Sequence, residues 1–211
     1  MRITTMKVFF GLTAAAAAAL LVTGSASAEP SQAAAASATT TTTYYDTLTA
    51  QHSGDGLAVN RGVTINGEPI VAWPSHVSQH NTQFSLEGVG ASPAAGYSGT
   101  FLLRARHSGQ CIDVAGAIVS GAALVQQPCD PGKLSQQWYY GPASETGSDA
   151  YRYVYNRASG LPSSAGVKVM KVAGGGGAGT AVVLAAKDLF GSSRFAIRAP
   201  FKVTTTTEVL N

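Results

Sequence analysis

Few side chains in this 211-residue chain have the types and spacings that chemistry needs. His76 and His80 stand four apart, an interval that can hold zinc on a helix. Here they lie in a loop-like stretch with no motif carboxylate or cysteine, so no metal site is expected. Gly174–Gly177 could cradle a phosphate, but no Lys-Ser/Thr follows and no helix is expected there, and a flexible turn accounts for it. The chain has no Gly-x-Ser-x-Gly and no His-Glu-x-x-His, and its 11 acidic residues form no closely patterned pair. Neither an enzyme nor a cofactor is indicated. Trp73, in the polar segment Ala-Trp-Pro-Ser, would be a ligand platform if exposed and a core residue if not.

The chain around these residues sets limits on its partners. Charged residues are only 12%, with 14 Lys and Arg against 11 Asp and Glu. Arg2 and Lys7 precede an uncharged apolar run from Val8 to Val22, and Ala26-Ser27-Ala28 is a small-residue cleavage site. Residues 1–28 therefore read as a secretory signal peptide, with Glu29 as the expected mature start. The apolar run is shorter than the roughly 20 residues a spanning helix needs, and no later stretch is long enough. Loss of Arg2 and Lys7 leaves 12 basic and 11 acidic residues, so neither nucleic acid nor an anionic membrane is an expected partner. Export to an oxidising compartment predicts that Cys111 and Cys129 pair.

An internal repeat organises the rest. Leu48-Thr-Ala-Gln-His-Ser-Gly54 and Leu103-Arg-Ala-Arg-His-Ser-Gly109 agree at five of seven positions, and Val154-Tyr-Asn-Arg-Ala-Ser-Gly160 is a weaker copy. Each copy continues with a short apolar run ending at Val59, Val114 or Val172, then a Gly-containing turn and a second apolar run. Each closes on an aromatic: Phe84, Trp138 or Phe195. The interval from valine to aromatic is 25, 24 and 23 residues. The third copy carries an insertion around Pro162–Gly166.

Short β-branched and aromatic runs bounded by Gly, Ser, Asn and Asp predict antiparallel strands with tight turns. Helical periodicity is absent after the signal segment. One copy cannot bury its apolar face alone; three around a pseudo-threefold axis can, which predicts an all-β protein with a β-trefoil fold. A β-sandwich is the alternative architecture and needs no threefold spacing. The trefoil is expected over residues 44–203, with repeats at about 44–97, 98–148 and 149–201, and with Phe84, Trp138 and Phe195 as equivalent core plugs. Residues 29–43, rich in Ala and Thr, read as a flexible leader, and residues 204–211 as a tail.

The second copy reads Ser108-Gly-Gln-Cys-Ile-Asp-Val114, then Gly121-Ala-Ala-Leu-Val-Gln-Gln-Pro-Cys129, then Ser135-Gln-Gln-Trp138. In order and spacing this resembles a repeat of the ricin B-chain-type lectin family, with its Gln-x-Trp ending. The resemblance implies a β-trefoil, an intra-repeat Cys111–Cys129 disulfide, and non-catalytic carbohydrate binding in shallow pockets, up to one per repeat. It implies that Asp113 takes sugar hydroxyl protons and that Gln136 occupies the amide position of the motif. Gln127 falls at the aromatic platform position, and Ser135 where an Asn is frequent. Both are departures, as is Val125 at a position that is often polar.

Repeat one is complementary. It has an aromatic platform residue, Trp73, and the family-type Asn81, but Ala58 replaces the Asp, Thr82 the Gln, and Gly56 and Ser75 the cysteines. Repeat three has Lys171, Ala185 and Ser193 at the Asp, platform and Gln positions and reads as structural. The sequence therefore points to a secreted lectin-like protein with a glycan or polysaccharide partner. The alternative is an interaction module, such as a peptidase inhibitor presenting Leu161–Gly166 to an extracellular protein partner.

Overall fold

A computed structural model describes residues 37–209 apart from Val77 and Phe190. The expected signal peptide and residues 29–36 lie outside the described residues. The described regular structure is twelve strands joined by short 3-10 turns. Repeat one contains β1 (Ser37–Ala50), β2 (Gly56–Val59), β3 (Ile70–Trp73) and β4 (Phe84–Gly90). Repeat two contains β5 (Thr100–Ala105), β6 (Cys111–Val114), β7 (Leu124–Gln127) and β8 (Trp138–Tyr140). Repeat three contains β9 (Arg152–Asn156), β10 (Lys168–Val172), β11 (Val182–Ala186) and β12 (Arg194–Val209).

The outer strands of each repeat make a barrel. β1 pairs with β12, β4 with β5 and β8 with β9, while the bridges Asp46↔Phe84, Phe101↔Trp138 and Phe195↔Arg152 close the ring. The inner strands make three hairpins in one register: Ala58 faces Val71, Asp113 faces Val125, and Lys171 faces Val183. The hairpins meet one another cyclically through the bridges Pro69↔Val125, Ala123↔Val183 and Val71↔Ala181. This is the β-trefoil that the repeat spacing predicts.

Equivalent residues build the core in layers. Leu48, Leu103 and Val154, which open the three copies, are fully buried, as are Phe84 and Trp138; Phe195 is 1% exposed. All six belong to one cluster. Burial of three aromatics at one centre supplies much of the apolar area that a single copy could not. The Trp138 indole N–H donates to the Ile112 carbonyl at 3.2 Å, so its polar atom is satisfied inside the core.

The Cys111–Cys129 disulfide is present and closes a separation of 18 residues. At its place in repeat one, a Cβ on Gly56 would stand 2.9 Å from the Ser75 Cβ. A small residue lets the same two segments approach without a covalent link.

The ends depart from expectation. Residues 37–43 are not a structureless leader but the first half of β1, and residues 204–209 are not a loose tail but the end of β12. Thr39 pairs with Thr207, Thr40 with Thr206, Thr41 with Thr205 and Thr42 with Thr204. The physical reason is that Thr is β-branched and favours extended backbone even where there is no core to bury. Low complexity therefore concealed a strand. A bulge between Tyr45 and Thr47 separates this ribbon from the barrel portion of β1.

Candidate functional site

Three equivalent positions, one per hairpin, hold the residues singled out by sequence. In repeat two, Asp113 sits on β6 and is fully buried. Its Oδ1 accepts from Ser135 Oγ at 2.6 Å and from the Val114 amide at 2.7 Å; its Oδ2 accepts from Lys133 Nζ at 2.6 Å and Gln136 Nε2 at 3.2 Å. Burial alone would raise the Asp113 carboxyl, but the bonds from Lys133, Ser135, Gln136 and the Val114 amide outweigh it and hold the pKa below the usual carboxylate range.

A carboxylate offers about four lone-pair positions, and four donors of this chain already occupy them. A sugar hydroxyl at Asp113 would have to compete with these internal donors. Gln136 is likewise spent: Nε2 also donates to the Pro128 carbonyl at 2.9 Å and Oε1 accepts the Asp130 amide at 2.8 Å. Ser135 is buried beneath them, its carbonyl accepting from Asn156 Nδ2 at 2.8 Å. Gln127, half-buried at the end of β7, pairs with Cys111 and adds no aromatic face. Lys133 was not foreseen. It lies 20 residues from Asp113 in sequence and belongs to no motif, though a lysine two residues before the Ser135-Gln136 pair was visible.

Repeat three reverses the charges. Lys171 stands at the Asp113 position and ion-pairs with Asp188, and Ser193 Oγ donates to Asp188 Oδ1 at 2.6 Å. In both repeats the strand position is thus neutralised by the loop that follows the hairpin.

A recess of about 490 Å3 lies at this place in repeat three, lined by Lys171, Gly174, Gly175 and His52 among others, and carries no aromatic platform among the described residues. Repeat one has neither charge at the strand position, and its cleft is also open. The recess is about 410 Å3 and is lined by Ala58, Asn60, Arg61, Trp73, Gln79 and Asn81 among others. Trp73 is not in a loop, as its polar surroundings suggested, but is the last residue of β3, paired with Gly56. Strand alternation turns it outward, and it is 43% exposed. A Cβ on Gly179 would lie 3.9 Å from its ring, so one part of the indole rests on the 177–180 loop. Asn81 Nδ2 donates to the Val59 carbonyl at 2.9 Å and pins the turn that follows β2. Asn60 Nδ2 donates to Glu68 Oε1 at 2.7 Å. Gln79 Oε1 is buried with no protein donor, an acceptor whose desolvation is uncompensated unless a ligand or water supplies a proton.

The turn itself is unusual. Arg61 has φ 55°, ψ 2° and is the single non-glycine residue with positive φ among the described residues. The equivalent positions two residues past the strand-end valine are Gly116 (φ 71°) and Gly174 (φ 61°). The turns of repeats one and three are braced from outside. His107 Nε2 lies 3.0 Å from the Val63 carbonyl and His52 Nε2 lies 2.9 Å from the Gly176 carbonyl, each just past the turn of a neighbouring repeat. The two histidines, at the same position of their repeats, thus take equivalent places.

A larger recess of about 680 Å3 lies elsewhere, by the β4–β5 and β8–β9 connections, lined by Tyr97, Tyr140, Asp149 and Arg152 among others. It is not one of the equivalent repeat positions, and the Tyr97 hydroxyl there is already bonded to Glu145. Among the described residues no group of three or more His, Cys, Asp or Glu is placed to hold a metal ion, and no helix is long and apolar enough to cross a membrane.

Fold and repeat geometry together define a β-trefoil. Residues 92–185 match the family described as ricin-type beta-trefoil lectin domain-like, a span covering the whole of repeat two and much of repeat three. The same fold occurs in ThreeFoil, a designed threefold-symmetric protein: 24% identity over 72% of this chain and 96% of that one, TM-score 0.60. It occurs in the Macrolepiota procera ricin B-like lectin, solved with lactose: 16% identity, 74% of this chain and 95% of that one, TM-score 0.55. An exo-beta-1,3-galactanase from Clostridium thermocellum also carries it, at 21% identity and TM-score 0.61, where 74% of this chain covers 30% of that one. No curated protein sequence matches the chain.

Proposed function

We propose that this protein is a non-catalytic carbohydrate-binding protein that acts outside the cell, and that its working site is the repeat-one cleft. The observation that carries this is Trp73, an indole 43% exposed at the rim of an open recess that contains unsatisfied polar groups. A sugar ring presents a weakly apolar C–H face and a rim of hydroxyls. The first suits an aromatic plane; the second suits Asn81, whose carbonyl oxygen is unused, and Gln79 Oε1. A few directional polar groups around an aromatic surface, in a recess of this size, is the composition of a small-ligand site. Among the described residues no carboxylate lines the cleft, whereas glycoside hydrolysis ordinarily uses two. Repeat two contributes stability through Asp113 rather than a second site. Export is supported by the signal-like residues 1–28 and suits a chain with a disulfide.

The test is binding of the purified protein to immobilised glycans and polysaccharides, with Trp73→Ala and Asp113→Asn in parallel. The expected result is binding that Trp73→Ala abolishes and folded Asp113→Asn retains. Binding untouched in Trp73→Ala, or no binding to any glycan by folded protein, overturns the proposal.

A further inference from the structure

We infer that the repeat-one cleft selects an acidic sugar, one bearing a carboxylate or a sulfate, and that Arg61 holds the anionic group. This rests on the cleft being a sugar site and goes further by assigning its ligand class.

The first support is charge. Among the described residues Arg61 is the one charged side chain lining the cleft. At the position where repeat two carries Asp113, repeat one carries Ala58, so no carboxylate rises from the strand to neutralise the guanidinium. The nearby acid, Glu68, accepts from Asn60 at 2.7 Å and makes no ion pair with Arg61. Arg61 is exposed and has no hydrogen-bond or ion-pair partner among the described residues.

The second support is the backbone. Asn60-Arg61-Gly62 in repeat one and Ala173-Gly174-Gly175 in repeat three make the same turn: φ is 55° and 65° at Arg61 and Gly62, and 61° and 68° at Gly174 and Gly175. Glycine makes this turn without steric cost, and an arginine does not. The fold therefore does not ask for a side chain there. Strain kept at one repeat, at the open cleft and nowhere else among the described residues, marks a side chain retained for contact rather than for architecture.

The third support is chemistry. A guanidinium offers a planar fork of donors that matches a carboxylate or sulfate in two parallel hydrogen bonds. With Trp73 beneath the ring and Arg61 at the rim, the cleft presents complementary places for the C–H face and the acidic substituent of one sugar.

The experiment is calorimetric titration of the full chain with matched ligands: methyl galactoside against methyl galacturonide, methyl glucoside against methyl glucuronide, and methyl galactoside 6-sulfate. One charged bond of this kind corresponds to roughly tenfold or more in affinity. The wild type is expected to prefer the charged member by about that factor, and Arg61→Gly to bring the ratio close to one. Arg61→Lys, which keeps the charge but not the fork, should fall between. A preference confined to the uronides identifies a carboxylate ligand; one confined to the sulfate identifies a sulfated ligand.

Equal affinity for charged and neutral sugars, or an unchanged preference in Arg61→Gly, overturns the inference while leaving the sugar site standing. Absence of binding to all five ligands and to every glycan of the wider panel removes the sugar site itself and this inference with it.

Discussion

Lys133 Nζ stands 2.6 Å from Asp113 Oδ2, joining a half-exposed lysine to a carboxylate whose side chain is 1% exposed. The pair changes what Asp113 does. In isolation it is the acceptor a sugar hydroxyl would seek; in place it is the hub that ties the 133–136 segment to β6. Removing one partner of a buried, hydrogen-bonded pair leaves the rest uncompensated. Asp113→Ala is therefore expected to destabilise the fold by about 3 kcal/mol, measured by urea unfolding. Lys133→Ala should cost less, because Ser135, Gln136 and the Val114 amide still bond the carboxylate.

The same hub sets a pH dependence. The Asp113 carboxyl is held below its ordinary value of 3.8 in the folded protein, so the unfolded chain binds its proton first as pH falls. The stabilisation is fully present above that value and is lost as pH drops below it, through the folded-state pKa. Unfolding free energy measured from pH 6 downward should decline below about pH 4, and Asp113→Asn should flatten that decline.

Trp138 tests the threefold core. It fills the centre with Phe84 and Phe195, and Trp138→Ala should cost about 3–5 kcal/mol. A substitution this large, read by thermal and chemical denaturation, is expected to lower stability more than any change confined to a cleft.

Arg61→Gly should act in the opposite direction. It relieves an L-residue held at φ 55° but makes the unfolded chain more flexible, so the net gain is about 1 kcal/mol or less. A rise in Tm of about 2–4 °C is the expected upper bound for a chain of this size. A fall in Tm would mean that the side chain supports the turn.

The threonine ribbon predicts a gradient of protection. Thr40–Thr42 are exposed and belong to a two-stranded extension, whereas Thr47–Ala50 of the same strand are buried in the barrel. Hydrogen exchange should open the ribbon amides far faster than those of Leu48 and Thr49.

The sequence made the trefoil legible because a threefold core repeats its apolar residues at nearly fixed intervals. The valines at 59, 114 and 172 and the aromatics at 84, 138 and 195 could be aligned without coordinates. The hairpin registers followed, since Asp113, Ala58 and Lys171 fall at one place. Which of those places keeps an unpaired strand position did not follow, because it depends on Lys133 and Asp188, loop residues outside the repeated pattern. Arg61 was hidden for a different reason: a dihedral angle leaves no trace in one residue type. Its alignment with Gly116 and Gly174 was nevertheless present as a signal. The threonine runs were misread because polarity and repetition resemble a linker, although β-branched residues favour a strand.

The pairing of Ser37 with Val209 places the first and last described backbone positions side by side. A force separating these two positions would not shear the ribbon along its length. It would load the bonds between β1 and β12 one pair at a time, like a zipper, from Ser37–Val209 inward through the threonines. The barrel would feel the pull only after the bulge at Asp46 had been passed. The ribbon thus serves as a mechanical fuse, yielding at low load while the clefts on the hairpins keep their shape.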